Sequence, residues 1–143
     1  GTVGQLCLPI FGADPARAGA YAETLGRALQ CTNILRDTKS DLAHGRIYYP
    51  CDELSAAGVV SFPNGAQDYL ASFAEKTDAL FDQAAKISPR EDAGPLRPAR
   101  VMASIYRSLL GKMRRDGLRV TALSYRLSAT EKLWALARAL LHQ

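Results

Sequence analysis

Apolar positions recur along most of this chain at helical spacing, three and four residues apart, and nowhere alternate with the period of two that a strand requires. Residues 1–12 read as the end of a helix stopped near Pro9 and Gly12. A long helical pattern then runs from Asp14, an N-cap with Pro15 at the first helical position, to His44, where Gly45 supplies the stop. The stretch from Arg46 to Pro63 carries Pro50, Gly58 and Pro63 and reads as loop with short turns. A second helix is predicted over about residues 64–87, with Tyr69, Phe73, Ala74, Leu80 and Phe81 on or near one face, broken by Ser88-Pro89. A third occupies roughly residues 95–116 and stops at Gly117. The last starts at Ser128, with Glu131 three residues on in a capping-box pattern. Its apolar set is Leu133, Leu136, Ala137, Leu140 and Leu141. The expected class is all-α.

Composition narrows this further. The 143 residues are 48% hydrophobic but only 8% aromatic, which suits helices packed through Leu and Ala. No run of 18 or more apolar residues occurs, so no transmembrane helix is expected. No signal-peptide pattern is visible, and an opening on Gly1-Thr2-Val3-Gly4 suggests a chain cut out of something longer. Cys7, Cys31 and Cys51 make neither a metal-ligand spacing nor an even disulfide set, so reduced thiols in a cytoplasmic protein are expected. The net charge of +4 is compatible with phosphate-bearing substrates, nucleic acid or an anionic membrane, and selects none of them. From Arg97 to Arg126 there are eight Lys/Arg against one acid, Asp116, with Arg100, Arg107 and Arg114 seven residues apart. A solvated basic face is the expectation there, and the lack of interleaved aromatics counts against a nucleic-acid partner. Trp134 reads as core packing, with peripheral anchoring at a membrane surface as the alternative.

The chemistry concentrates on the first long helix. At about 100° per residue, Gln30, Asn33, Asp37 and Asp41 fall within roughly 80° of one another and make one polar stripe. Asp37 and Asp41 stand one turn apart, a like-charge pair that costs a few tenths of a kcal/mol in a bare helix, about as much as an opposite pair would contribute. A hard divalent cation reverses that sign, because Mg²⁺ favours carboxylate oxygens and shares its shell with substrate phosphates. Toward the N-terminus the stripe continues into Ala22, Gly26 and Leu29, while Ala28, Leu35 and Lys39 lie opposite. A molecule with an apolar tail and an anionic head would fit along it. On spacing alone, a solvated acidic edge remains the plainer reading.

The whole string Gln30-Cys31-Thr32-Asn33-Ile34-Leu35-Arg36-Asp37-Thr38-Lys39-Ser40-Asp41 resembles the second aspartate-rich motif of the squalene/phytoene synthase family. Gly45-Arg46-Ile47-Tyr48-Tyr49-Pro50 is similar to that family's GR(I/V)YLP loop, and Gly1-Thr2-Val3-Gly4 to the AG-x-VG helix lining its prenyl pocket. Ile105-Tyr106-Arg107 and Arg126-Leu127-Ser128 match family positions in the last two helices.

The resemblance implies an isoprenoid-synthase-type helical bundle of which residues 1–143 are the C-terminal half of a single domain. It implies Mg²⁺ held by Asn33, Asp37 and Asp41, with Asp37, Asp41 and Tyr48 in catalytic roles. It implies diphosphate contacts from Arg36, Arg46, Tyr106 and Arg126, with Gln30 lining the reaction centre. Val3, Gly4, Cys7, Leu25 and Leu29 would line the tail channel. The plainer alternatives are Tyr106 as core, Arg46 as a helix cap and Tyr48 as packing.

The reaction implied is head-to-head condensation of two farnesyl diphosphates to presqualene diphosphate. The Thr-Asn-Ile-Leu-Arg-Asp string and the Arg126-Leu127-Ser128…Lys132-Leu133-Trp134 run look closest to bacterial squalene- and hopanoid-pathway members. The alternatives are a phytoene synthase using geranylgeranyl diphosphate, or a non-catalytic helical interaction module that kept the fold. NADPH would enter only with a reductive second step, and no nucleotide fingerprint is present. The family's first acidic motif lies upstream, in a half absent here, and Asp52-Glu53 and Glu91-Asp92 sit in predicted loops. The fragment alone is therefore expected to be inactive.

Overall fold

The computed structural model describes residues 13–89 and 94–141. Among these residues five helices are seen: α1 (Pro15–Ala43), α2 (Cys51–Ala56), α3 (Gln67–Ile87), α4 (Arg97–Arg115) and α5 (Ala129–Leu141). Among the described residues there is no strand, only an isolated bridge between Ser61 and Asn64. The all-α reading holds for these residues. The predicted helix end at residues 1–12, with Val3, Gly4 and Cys7, lies outside the described residues.

The ends of α1 follow from the residues named for them. Asp14 Oδ1 accepts the Ala16 N–H at 2.9 Å, with Pro15 in the first turn where its missing donor costs nothing. At the other end Gly45 takes φ +68°, a left-handed conformation cheap only for glycine. Gly45 N–H then reaches Leu42 O at 3.0 Å and Arg46 N–H reaches Asp41 O at 2.8 Å, a Schellman closure.

One face of α1 is entirely core: Ala18, Tyr21, Ala22, Leu25, Ala28, Thr32, Leu35 and Thr38 are all buried. It packs chiefly on α3, and α4 lies against both, with α5 on α4. The small Ala18, Ala22 and Ala28 on α1 share one core with Ala74 and Ala84 of α3. Buried hydroxyls turn back onto their own helices, Thr32 to Ala28 O at 2.8 Å and Thr77 to Phe73 O at 2.7 Å, so this interior carries no polar debt there. Leu35, Leu70, Leu96, Leu110, Met113 and Val120 are fully enclosed. Truncating any of the larger ones to Ala would cost about 2–5 kcal/mol.

Four sequence expectations need correction. The stretch read as loop between Arg46 and Pro63 contains α2, fixed by Leu54 in the core, so Asp52 and Glu53 lie in a helical first turn. The second predicted helix begins at Gln67 rather than near Asn64, because Gly65 at φ +69° belongs to a preceding turn. The basic repeat on α4 is solvent-accessible but not free, because its members are tied to neighbouring groups. Arg107 reaches Asp78 and Asp82 of α3, each at 2.8 Å, and Arg114 reaches Asp78 at 2.9 Å. Arg100 donates to Ser88 Oγ at 3.0 Å. A seven-residue repeat keeps to the seam between two helices, and here that seam is α3 against α4. Finally, α5 turns Ala135 into the core, where its carbonyl accepts Ser104 Oγ at 2.7 Å, and leaves Leu133 and Trp134 outside. Trp134, read as core, is 72% exposed.

Candidate active-site helix and its loop

Because Ala28 and Leu35 anchor α1 in the core, the polar stripe on its other side faces outward. Asn33, Asp37 and Asp41 are half-buried there and Gln30 is exposed. Asn33 Oδ1 is enclosed yet has no hydrogen-bond partner. A buried acceptor left bare costs about 1–3 kcal/mol, so this oxygen is poised for a donor or a cation.

Arg36 lies beside Asp37 in a bidentate pair, Nε to Oδ1 and Nη2 to Oδ2, both at 2.7 Å. The hydrogen bond to Asp37 holds the guanidinium above its ordinary pKa against the effect of partial burial, and the Tyr106 hydroxyl adds to it. The pair is a third or more exposed, so its net contribution to stability is at most about 1 kcal/mol. The pair fixes the Arg36 fork beside the stripe. Tyr106 comes from α4, half-buried against the core with its hydroxyl near Arg36, so packing and polar contact coexist in one side chain.

One turn on, Asp41 shares a small hollow with Arg46 and Tyr48, floored by Ile34, Thr38, Tyr49 and Phe62. The cap at this end of α1 uses the Arg46 backbone N–H, so its side chain is not needed for that role and stands exposed. The loop is pinned by Tyr49, which sequence reasoning passed over in favour of its neighbour. Tyr49 is buried, whereas Tyr48 is 55% exposed. The Tyr49 ring packs on Phe62, Tyr69 and Phe73 with centroids 5.2, 5.7 and 5.1 Å away. Its hydroxyl meets Thr38 Oγ1 at 2.7 Å, on the flank of the acidic stripe. Burial raises the Tyr49 pKa well above the ordinary phenol value, so it stays a neutral donor.

The structure thus gathers Arg36, Asp37 and Tyr106 in one group and Asp41, Arg46 and Tyr48 in another. Arg126 is exposed between α4 and α5, its carbonyl accepting Lys112 Nζ at 3.1 Å, and no described contact joins it to the stripe. Leu25 is core and Leu29 is half-buried beside it.

A second acidic pair escaped the motif reading. Asp78 and Asp82 on α3 have the same i, i+4 spacing as Asp37 and Asp41. Their partners are Arg107 and Arg114, as described above. The signal was available in the seven-residue Arg repeat, which needed an acidic face opposite it.

The oxygens of Asn33, Asp37 and Asp41 are the hard ligands that Mg²⁺ takes. Among the described residues no three His, Cys, Asp or Glu converge on one point to hold a metal ion, and the stripe on α1 carries two carboxylates. Cys31 and Cys51 are free thiols, and no described helix is long and apolar enough to cross a membrane.

The sequence profile described as squalene/phytoene synthase matches residues 1–132. The chain is similar to phytoene synthase of Mycobacterium bovis, 36% identical over 98% of this chain and 50% of that protein. It is also similar to presqualene diphosphate synthase of Zymomonas mobilis, 33% identical over 95% of this chain and 49% of that one. Phytoene synthase of Thermus thermophilus is 34% identical over 99% and 50%. The chain spans about half the length of these curated relatives. No solved structure matches it.

Proposed function

Since the chain belongs to the squalene/phytoene synthase family, we propose that it supplies the second acidic helix of an enzyme that joins two prenyl diphosphates head to head, farnesyl diphosphate giving presqualene diphosphate. The observation that carries this reading is the stripe itself. Asn33 Oδ1 is buried without a partner, and Asp41, one side chain of the only half-buried carboxylate pair on α1, makes no ion pair among the described residues. Bound at Asn33, Asp37 and Asp41, Mg²⁺ would neutralise charge on the departing diphosphate.

The chain's own residues do the rest. Arg36, held by Asp37 and Tyr106, presents a planar fork that can pass from carboxylate to phosphate oxygens. Arg46 and Tyr48 stand on a loop fixed through Tyr49 and close the other end of the stripe. Leu29 and the apolar turns before Gln30 suit the prenyl tail.

A second reading, condensation of geranylgeranyl diphosphate to phytoene, is favoured by relatives that carry the name phytoene synthase. Both use the same residues in the same roles and differ in tail length. Product analysis of the full-length protein with farnesyl and geranylgeranyl diphosphates separates them, and Mg²⁺ titration tests the metal. Asp37→Asn and Asp41→Asn should each abolish turnover. Asp41→Asn should leave the melting temperature unchanged or slightly raised, because like-charge repulsion is relieved, whereas Asp37→Asn loses the Arg36 pair and should lower stability by no more than about 1 kcal/mol. Turnover near the wild-type rate with unchanged Mg²⁺ dependence would sink the assignment, and would favour a non-catalytic helical module.

A further inference from the structure

Away from the acidic stripe, α4 and α5 enclose an open cleft of about 380 Å³. None of the residues assigned above to the reaction lines it. Its volume falls in the range of small-molecule sites. Four guanidinium groups, Arg107, Arg114, Arg115 and Arg138, border it, with Leu110, Leu127 and Trp134 as its apolar part.

The charges divide into two classes. Asp78 takes Arg107 at 2.8 Å and Arg114 at 2.9 Å, so these two are fixed in place. Glu131 also borders the cleft, but Lys112 Nζ at 3.0 Å and the Ser128 N–H at 2.7 Å already engage it. That engagement holds its carboxyl pKa down to about 2. Arg115 and Arg138 have no carboxylate partner among the described residues. The cleft therefore holds uncompensated positive charge beside an exposed indole.

Arg115 is laid along the helix surface at the border of the cleft. Gly111 sits one turn before it, in a helix interior where glycine costs about 1 kcal/mol relative to Ala. A Cβ built at Gly111 would lie 3.3 Å from Arg115 Nη1. The guanidinium thus lies back across the bare turn, toward the cleft that Gly111, Ser108 and Ser104 also line.

We infer that this cleft is a second, separate binding site for a phosphate or diphosphate ester, with Arg115 and Arg138 gripping the phosphate oxygens and Trp134 covering the attached organic part. A guanidinium fork matches phosphate geometry, and the fixed Arg107 and Arg114 add field without needing to move. Two sources share this chemistry: a soluble phosphate ester and the headgroup of an anionic lipid. The site does not depend on the reading of α1.

Full-length protein without divalent metal is titrated with inorganic pyrophosphate, and separately with vesicles of phosphatidylglycerol or of phosphatidylcholine. Trp134 fluorescence is isolated by subtracting the Trp134→Phe protein, and calorimetry repeats the binding measurement without the indole signal. Saturable binding of pyrophosphate assigns a soluble ester, and binding to phosphatidylglycerol vesicles alone assigns a headgroup. Either should weaken at least tenfold in the Arg115→Gln/Arg138→Gln protein. Both side chains are at the surface, so this protein should keep its melting temperature. Asp37→Asn should leave the binding untouched, which separates this site from the reaction centre. Binding of neither probe, or binding that survives loss of both arginines, would overturn the inference.

Discussion

Thr38 ties the acidic helix to the loop that carries Arg46 and Tyr48, and removing its hydroxyl should loosen both. Thr38 Oγ1 donates to Ile34 O at 2.7 Å, so its own proton is committed along the helix. The 2.7 Å contact with Tyr49 must then run the other way, the phenol donating to Oγ1. Thr38→Val keeps the shape and leaves the Tyr49 O–H without an acceptor, in a site where Thr38 is 3% and Tyr49 4% exposed. A buried donor stripped of its partner costs about 1–3 kcal/mol, so we expect about 2 kcal/mol. Tyr49→Phe removes the donor instead and leaves the Thr38–Ile34 bond standing, so about 1 kcal/mol is expected. In the double variant neither group is orphaned, so the total should fall back to about 1 kcal/mol, a coupling of about 2 kcal/mol between the two changes. At roughly 3 °C per kcal/mol for a protein of this family's size, Thr38→Val should lower Tm by about 6 °C. Denaturant unfolding of the four proteins measures the cycle. Their kcat/KM values should fall in the order of lost stability, because Arg46 and Tyr48 share the loosened loop. Strictly additive losses, or a costlier Tyr49→Phe than Thr38→Val, would refute the donor assignment.

The same reasoning gives three further expectations. Arg46→Lys should leave stability unchanged, since the backbone N–H makes the helix cap, but lower kcat/KM about tenfold or more through loss of the planar fork; equal kinetics would remove Arg46 from the substrate contacts. Tyr69 has a buried hydroxyl with no partner, and burial, with the charges of Glu53 and Asp52, raises its pKa to about 12. Tyr69→Phe should therefore be neutral or stabilise by up to about 1 kcal/mol, opposite in sign to Tyr49→Phe, and a clear loss on denaturant unfolding would show that the hydroxyl has a partner. Glu131 closes the predicted capping box, taking the Ser128 N–H at 2.7 Å while Ser128 Oγ takes the Glu131 N–H at 3.2 Å. Its pKa falls from 4.5 to about 2, first through the Ser128 N–H and next through Lys112. The lower folded pKa means its contribution is complete above pH 4.5 and is lost as pH falls toward 2. Carbon-detected titration of the Glu131 carboxyl should show this, and a midpoint near 4.5 would contradict it.

Much of this was legible in the chain because local signals were strong. Asp14, Pro15, Gly45 and the Ser128–Glu131 pair define helix ends through short-range chemistry, and each appears where expected. The helix α2 was hidden because its six residues are too few to show a period, and one buried side chain, Leu54, decides it. Tyr48 and Tyr49 are adjacent and chemically alike, so nothing local says which is core; the answer lies in Phe62, Tyr69 and Phe73, distant in sequence. Trp134 was misjudged for the same reason. Its hydrophobicity favours burial, but α5 meets α4 through the small Ala135 and the Ser104 hydrogen bond, which leaves the indole on the rim of the cleft.

The two Asp-x-x-x-Asp pairs show why spacing alone could not assign the reaction centre. Asp37/Asp41 and Asp78/Asp82 have identical helical geometry and identical charge. They differ in what the fold puts opposite them. Across from Asp78 and Asp82 the tertiary structure places Arg107 and Arg114, so their charge is neutralised by a neighbouring helix and they serve to hold α3 to α4. On α1, Asp37 has only its chain neighbour Arg36, and Asp41 has no ion pair among the described residues. Packing has left that pair without a counter-charge from another helix. Repulsion within a pair of which only Asp37 is neutralised is small in water but grows once a substrate covers it and the local dielectric falls. On the proposed reading a cation then arrives with the substrate. The dependence can be read without chemistry: a non-hydrolysable prenyl diphosphate analogue should bind full-length protein far more tightly with Mg²⁺ than without it. Asp78→Asn should leave that ratio unchanged while lowering Tm, and Asp41→Asn should collapse the ratio while sparing Tm. If the two variants exchanged these effects, the charge-balance argument would fail for both pairs at once.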